Sequence, residues 1–269
     1  MARFDGKVAF VTGAARGQGR AHAVRLASEG ADIIAGDICE KLDTINYEGS
    51  TPDDLAETKR LVEGHGRRIV AEQMDVRDLD SVERLVQKGV AELGRLDIVV
   101  ANAGVLGAGW TWEISPEQWR QVIDINLTGV WHTVRATVPI MIKQGQGGSI
   151  ILTSSTAGLS GQPFTAHYTA SKHGVVGLCK TLANELGEHD IRVNTIHPAG
   201  VRTKMVEETE LFSYISSRAE TLGPLFMQTL PKEMLDPEDV SALVAWLASD
   251  EGRYVTGAQM PIDLGMLNR

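Results

Sequence analysis

Cysteine is nearly absent: Cys39 and Cys179 are the only two in 269 residues. Their spacing fits no disulfide framework and no metal-ligand pattern, so two reduced thiols are expected. The seven histidines show no HExxH or other ligand spacing, and no metal is expected. His22, His132 and His173 fall in helical patterns, where packing or surface roles are expected. Positive charge is in deficit, with 26 Lys and Arg against 35 Asp and Glu and a net charge of −9. That balance argues against a nucleic-acid or acidic-membrane partner. No apolar run approaches the ~20 residues of a membrane span. The opening "MARFDGKVAFVTG" has neither the apolar core nor the cleavage site of a signal peptide. Together these absences predict a cytoplasmic protein.

What is present is an ordinary globular composition, 43% hydrophobic and 23% charged, and an alternation of strand-like and helix-like segments. Short apolar runs at 7–13, 31–37, 67–75, 96–104, 148–155, 191–198 and 257–263 read as strands. Helical spacing fills 18–29, 79–94 and about 165–187, and a long helix is predicted from Ser115-Pro116-Glu117 to about Lys143. Thr51-Pro52 and Asp236-Pro237 read as helix starts, with Pro at the first helical position. Residues 199–235 look irregular. Repeated β-then-α steps imply an α/β fold, a doubly wound Rossmann domain whose parallel sheet carries helices on both faces. The strands are continuously apolar, as a sheet buried on both sides requires. With no repeat or linker in view, one domain over 1–269 is expected.

"TGAARGQG", Thr12 to Gly19, lies where the first strand turns into a helix. Gly13, Gly17 and Gly19 would let backbone approach a pyrophosphate, and the helix N-terminus offers free N–H groups. A glycine-rich turn alone is weak. Asp37, 18 residues beyond Gly19 at the end of the second strand, makes the pattern strong. A carboxylate there accepts ribose hydroxyls and repels a 2′-phosphate. Arg16 points the other way, since a basic residue in that turn can bind such a phosphate. Asp37 decides for NAD, because a carboxylate facing a phosphate is costly and an exposed Arg can swing into water.

Tyr168 and Lys172, in "HYTASKHG", are four residues apart and share a helix face. A phenol titrates near ~10, and a neighbouring ammonium favours its phenolate. The pair stands 13 residues after Ser155, which ends the fifth strand. In parallel sheets ligands bind at the strands' carboxyl ends, so both hydroxyls can converge on one substrate oxygen.

Thr12–Gly19, the "NAG" of 102–104, Asn126, Ser155 and Tyr168-xxx-Lys172 resemble the short-chain dehydrogenase/reductase family over about residues 7–265. The resemblance implies a seven-stranded sheet in the order 3-2-1-4-5-6-7 and a catalytic tetrad of Asn126, Ser155, Tyr168 and Lys172. Lys172 would also bond the nicotinamide ribose, and Asn126 would hold a proton-relaying water. It further implies that Gln18 and Ile38 join the cofactor site, that Asp75 and Val76 flank the adenine, and that Asn102, Ala103 and Gly104 pass beneath the adenosine ribose. Thr153, Pro198, Val201 and Thr203 would serve the nicotinamide end. Where the family usually has Pro-Gly, this chain has Pro198-Ala199.

One further feature narrows the resemblance. After Asp37 the chain runs through more than a dozen polar residues before helical spacing resumes, although strand-to-helix loops usually take about 2–6. This insert, 39–52, is similar to that of the mycobacterial-type carveol dehydrogenase or mycofactocin-dependent branch. That branch implies an NAD held without exchange and reoxidised by a peptide-derived redox carrier; the family resemblance implies a homo-oligomer, a tetramer or a dimer, of which a tetramer is expected here. The insert is expected to fold over the adenosine end of NAD, with Tyr47 covering an adenine face and Asn46 and Ser50 adding polar contacts. A lid over 203–235, with Met205, Leu211, Phe212, Tyr214, Leu222, Leu225, Phe226 and Met227, and Trp110 and Trp112 beside it, suits a hydrophobic secondary alcohol or its ketone. Two alternatives remain at this point: a 3-oxoacyl-carrier-protein reductase, whose NADPH preference Asp37 opposes, and a non-catalytic NAD-binding regulator, against which the intact Ser155, Tyr168 and Lys172 stand.

Overall fold

Alternation along the strands builds two cores from one sheet. A computed structural model describes residues 2–268, so the two ends of the expected domain, Met1 and Arg269, lie outside the described residues. The strands are β1 (Val8–Thr12), β2 (Asp32–Asp37), β3 (Ile69–Gln73), β4 (Ile98–Ala101), β5 (Gly148–Thr153), β6 (Ile191–Pro198) and β7 (Gln259–Ile262). They pair in parallel in the order β3-β2-β1-β4-β5-β6-β7. That is the order the family resemblance implied.

Side chains of successive strand residues point to opposite faces. Val8, Phe10, Ile34, Val99, Ile150 and Val193 therefore pack on one side, against α3 (Leu79–Leu93), α5 (Gly129–Gln144) and α6 (Ala166–Leu186). Ala9, Val11, Ile33, Val100, Ile151 and Ile196 pack on the other, against α1 (Gly17–Ser28), α2 (Pro52–Gly64) and α9 (Pro237–Ala248). Every residue of β1, β2 and β4 is buried, which explains why they are apolar apart from Thr12, Asp32 and Asp37.

The predicted helix starts hold. Thr51 and Asp54, Ser115 and Gln118, and Asp236 and Asp239 each form a capping box with Pro in the first turn. Such a cap contributes about 1 kcal/mol.

The long helix predicted over 115–143 is present but carries a π-turn. It divides into α4 (Pro116–Ile123), a π-turn (Asp124–Thr128) and α5. Inside the π-turn, the Asn126 amide bonds the backbone of Val105, accepting from its N–H at 2.8 Å and donating to its carbonyl at 2.9 Å. Apolar spacing cannot register one surplus residue held by a distant loop. The stretch expected to be irregular contains α7 (Lys204–Glu207), α8 (Leu211–Ser217) and a 3₁₀ turn (Gly223–Phe226).

Candidate active site

The carboxyl ends of β1, β2, β4, β5 and β6 open into one cleft of about 630 Å³. All the predicted cofactor residues and Ser155, Tyr168 and Lys172 line it. Asn126 does not. It sits behind the wall, fully buried, with its second amide hydrogen directed to Ser171 Oγ at 3.3 Å.

At the nucleotide end the glycines act by leaving space. Gly13 has φ +66°, and a Cβ there would lie 2.8 Å from Ala103 Cα; one on Gly19 would lie 1.9 Å from the Gly13 carbonyl oxygen. The Thr12 hydroxyl accepts from the N–H groups of Asn102 and Ala103, both at 3.0 Å, which holds the end of β1 against the loop after β4. Asp37 is buried and accepts from Ala15 N–H at 2.9 Å, Cys39 N–H at 3.1 Å and Ser50 Oγ at 2.5 Å. Cys39 itself takes φ +50° as the chain leaves the sheet. Asp75 and Val76 form the opposite wall, and the Val76 carbonyl is 2.8 Å from His132 Nδ1.

Two expectations for this end need correction. Arg16 does not swing into water. Its guanidinium donates to the carbonyls of Gly49, at 3.0 Å, and Glu48, because the insert returns along the glycine-rich turn and presents unpaired carbonyls there. Asn46 adds no polar contact to the cleft, being exposed and outside its lining. Tyr47 turns inward. It is 7% exposed, packs with Ile45 against the core, and its hydroxyl accepts from Leu106 N–H at 3.1 Å. Ser50 reaches Asp37 rather than standing free. Beyond the cleft mouth, Glu48 pairs with Lys204 at 2.5 Å, and its N–H donates to Glu208 at 3.1 Å. The insert thus joins the glycine-rich turn to the start of the lid.

At the other end, α6 is fastened to the end of β5. Ser154 Oγ donates to the Lys172 carbonyl at 3.0 Å, and Lys172 Nζ donates to the Thr153 carbonyl at 2.8 Å. Ser155 stands beside the Tyr168 phenol in the cleft wall, and Lys172 Nζ is 5.5 Å from the phenol ring centroid. Burial dominates the electrostatics. It raises the Tyr168 phenol above its usual value, and the hydrogen bond from Ser155 pulls the other way. Burial also lowers the Lys172 ammonium to about 8. The expected depression of the phenol by Lys172 is therefore absent here: desolvation disfavours both charged forms, and the ammonium is turned to the Thr153 carbonyl.

The observed residues suit a dinucleotide. Among the described residues, Gln18 Oε1 and Thr153 Oγ1 are buried in this cleft without a hydrogen-bond partner. Such orphaned groups call for a polar ligand, and the spaces beside Gly13 and Gly19 leave backbone open to one.

The lid supplies an apolar end. Met205, Leu211, Phe212 and Phe226 line the cleft as expected, and Ile215 and Met234 join them. Leu225 and Met227 instead face outward, 56% and 53% exposed. Trp110 stands behind the lining, edge-on to Phe164 at 4.8 Å and stacked on Trp112 at 4.9 Å; Phe164 in turn packs on Tyr214 at 5.4 Å. Leu264 and Met266 of the C-terminal segment also line the cleft. Sequence reading missed both, and only their apolar character hinted at it. His22 and His132 are packed as expected, His22 against Ser241 at 2.8 Å, and both cysteines are buried and free. Among the described residues no helix is long and apolar enough to cross a membrane.

The chain is similar to several known proteins. Residues 13–267 match the family described as enoyl-(acyl carrier protein) reductase. The carveol dehydrogenase of Mycobacterium avium, solved in complex with NAD, superposes with a TM-score of 0.95 at 52% identity, covering 100% of both chains. A short-chain dehydrogenase of Mycobacterium paratuberculosis bound to NAD gives 0.96 at 53% identity, over 99% of this chain and 100% of that one. The (−)-trans-carveol dehydrogenase of Rhodococcus erythropolis is 45% identical, over 98% of this chain and 99% of its own.

Proposed function

The chain belongs to the short-chain dehydrogenase/reductase family and is an NAD-dependent oxidoreductase; we propose that it interconverts a hydrophobic or cyclic secondary alcohol and its ketone, as its carveol dehydrogenase relatives suggest. The observation that carries this reading is the Ser155–Tyr168 pair, which opens onto an apolar lid on one side and the dinucleotide cradle on the other.

When bound, NAD supplies the hydride acceptor at its nicotinamide ring. Gly13, Gln18 and Gly19 would hold its pyrophosphate, Asp37 its adenosine ribose, and Thr153 and Thr203 its nicotinamide end. In the oxidising direction Ser155 donates a hydrogen bond to the reacting oxygen and Tyr168 removes the hydroxyl proton. Lys172 keeps positive charge beside the phenol and would bond the nicotinamide ribose. Asn126 works from behind: its side chain fixes Val105 and Ser171, so a relay water would have to use the remaining Oδ1 lone pair or its main-chain carbonyl. The protein's share of catalysis is orientation and proton traffic.

The insert supports the finer reading that NAD is held without free exchange. Arg16, Glu48 and Lys204 bridge the cleft mouth above the cradle. A cofactor so held must be reoxidised in place, which suits a small, peptide-derived redox carrier. We take residues 1–269 as one cytoplasmic catalytic unit, with insert 39–52 and lid 203–235, acting as a homotetramer. Trp119 and Trp131, 42% and 45% exposed on α4 and α5, offer apolar surface for that assembly.

The test is Tyr168→Phe, assayed on a panel of terpenoid and other cyclic alcohols with an artificial acceptor. Turnover should fall about 10²–10⁴-fold with NAD still bound; near-parental turnover would remove the assignment.

A further inference from the structure

His197 occupies the next-to-last position of β6 and is fully buried. Its Nδ1 lies 2.7 Å from the main-chain carbonyl oxygen of Ser155, and its Nε2 lies 2.8 Å from Thr195 Oγ1. A carbonyl can only accept, so Nδ1 carries the proton. In the neutral ring Nε2 is then the acceptor, and the Thr195 hydroxyl donates to it at 2.8 Å rather than to the Ala258 carbonyl at 3.3 Å. Burial and the nearby Lys172 and His173 of α6 hold the imidazole below its usual range, against the hydrogen bond to Ser155. The ring is thus a fixed neutral donor.

Its placement is specific. β5 ends at Thr153, and the chain then turns through Ser154 and Ser155 into a 3₁₀ turn (Thr156–Gly158). On the sheet side, Ser154 N–H donates to the Ile196 carbonyl at 2.9 Å. On the far side, Ser155 Oγ accepts from Ala157 N–H at 3.2 Å. The Ser155 carbonyl accepts from His197 Nδ1–H and also, at 2.9 Å, from Gly158 N–H, and these bonds together fix the Ser155 peptide that carries the hydroxyl. His197 itself does not line the cleft.

We propose that His197 is a positioning residue for the reaction: its Nδ1–H holds the Ser155 carbonyl so that the Ser155 hydroxyl stays aimed at Tyr168 and the substrate oxygen. The inference rests on the Ser155–Tyr168 reading above. It predicts an effect on the chemical step with little effect on cofactor binding. Because the Ser155 hydrogen bond favours the phenolate, loosening it should also raise the apparent pKa of Tyr168. The acidic limb of the oxidation profile then moves to higher pH.

Asparagine and glutamine separate positioning from space filling. The Asn amide nitrogen branches from Cγ, as Nδ1 does, and can donate to the same carbonyl; Gln fills more of the ring's volume but carries its amide one bond further out. His197→Asn should keep most of the parental kcat and the parental pH profile. His197→Gln and His197→Ala should lose about 10–100-fold in kcat, the size of effect expected for an ångström-scale misplacement. Their KM should change little, their NAD affinity should be retained, and their acidic limb should be shifted. If alanine fails to fold, the asparagine and glutamine pair still decides. Equal kcat and equal pH profiles for those two variants would overturn the proposal, as would a loss of NAD binding that parallels the loss of turnover. Ser155→Ala is the control: if it keeps parental turnover, the reading of the site fails and the role of His197 fails with it. If it is inactive while the asparagine and glutamine variants behave alike, only the His197 assignment falls.

Discussion

The Arg16 guanidinium is tied to the main-chain carbonyls of Glu48 and Gly49, so the residue that sequence alone would offer to a phosphate instead clasps the insert. Arg16→Ala should speed release of bound NAD by roughly tenfold, the effect expected of lost hydrogen bonds to a charged donor. Replacing 40–50 with a short glycine-serine turn should speed it further. Glu48→Ala should do little, because the Glu48–Lys204 pair is exposed to solvent. Exchange against labelled NAD measures all three, and equal rates in parent and shortened protein would exclude the clasp.

Asp37 makes a second test. Its carboxylate holds Ala15, Cys39 and Ser50 at once, so Asp37→Ser should weaken NAD and loosen the insert together. The NADP-to-NAD affinity ratio should rise, but modestly, since Arg16 is engaged elsewhere. Calorimetric titration with both cofactors checks this. An unchanged ratio would mean that Asp37 does not face the ribose.

Lys172 should trade stability for chemistry. It is 3% exposed, and its folded pKa of about 8 lies below the usual 10.5. Between those values the unfolded chain holds a proton that the folded chain has released, so this group's contribution to stability rises with pH across that window and is least favourable below pH 8. Lys172→Met should therefore stabilise the cofactor-free protein at pH 7 by about 1–3 kcal/mol, allowing for the lost bond to Thr153, and abolish turnover. Thermal unfolding at pH 7, 9 and 10.5 should show the gain shrinking as pH rises. A less stable variant at pH 7 would contradict a desolvated ammonium.

Acid should act through buried imidazoles. Burial lowers His22 to about 3 and His167 to about 4. Below about 6.5 the unfolded chain takes up protons at these positions that the folded chain refuses, so stability falls as pH drops toward 4. Glutamine at either position should flatten that decline in denaturant titrations at pH 7, 5.5 and 4.5. Parallel declines in parent and variants would assign the acid sensitivity to other groups.

The strands, the glycine turn and the Tyr168–Lys172 face were legible because each follows a local period or a fixed spacing, and such patterns survive in one dimension. Partners chosen across long separations were not. Arg16 meets carbonyls 32 and 33 residues away, Tyr47 meets an N–H 59 residues away, and Asn126, inside the π-turn, meets the backbone of Val105 21 residues away. A side chain's type told what bond it could make, but not which backbone group the folded chain would leave unpaired. The pKa of Tyr168 failed for a related reason: proximity to Lys172 could be read from spacing, but the depth of burial that outweighs it could not.

The π-turn at 124–128 implies an unusual relation between chain length and activity. A π-turn accommodates one residue more than a regular helix. Deleting one residue there should let α4 and α5 close into an unbroken helix with regular bonding. Because the π-turn already absorbs the surplus residue, α4 and α5 would keep their buried faces, and the Asn126 side chain would leave Val105. Most deletions in a packed helix harm folding first and function second. A shortening at this point should do the reverse, giving a well-folded chain with a dismantled site. A library of single-residue deletions sorted separately for solubility and for turnover should therefore find its clearest disagreement at these five positions.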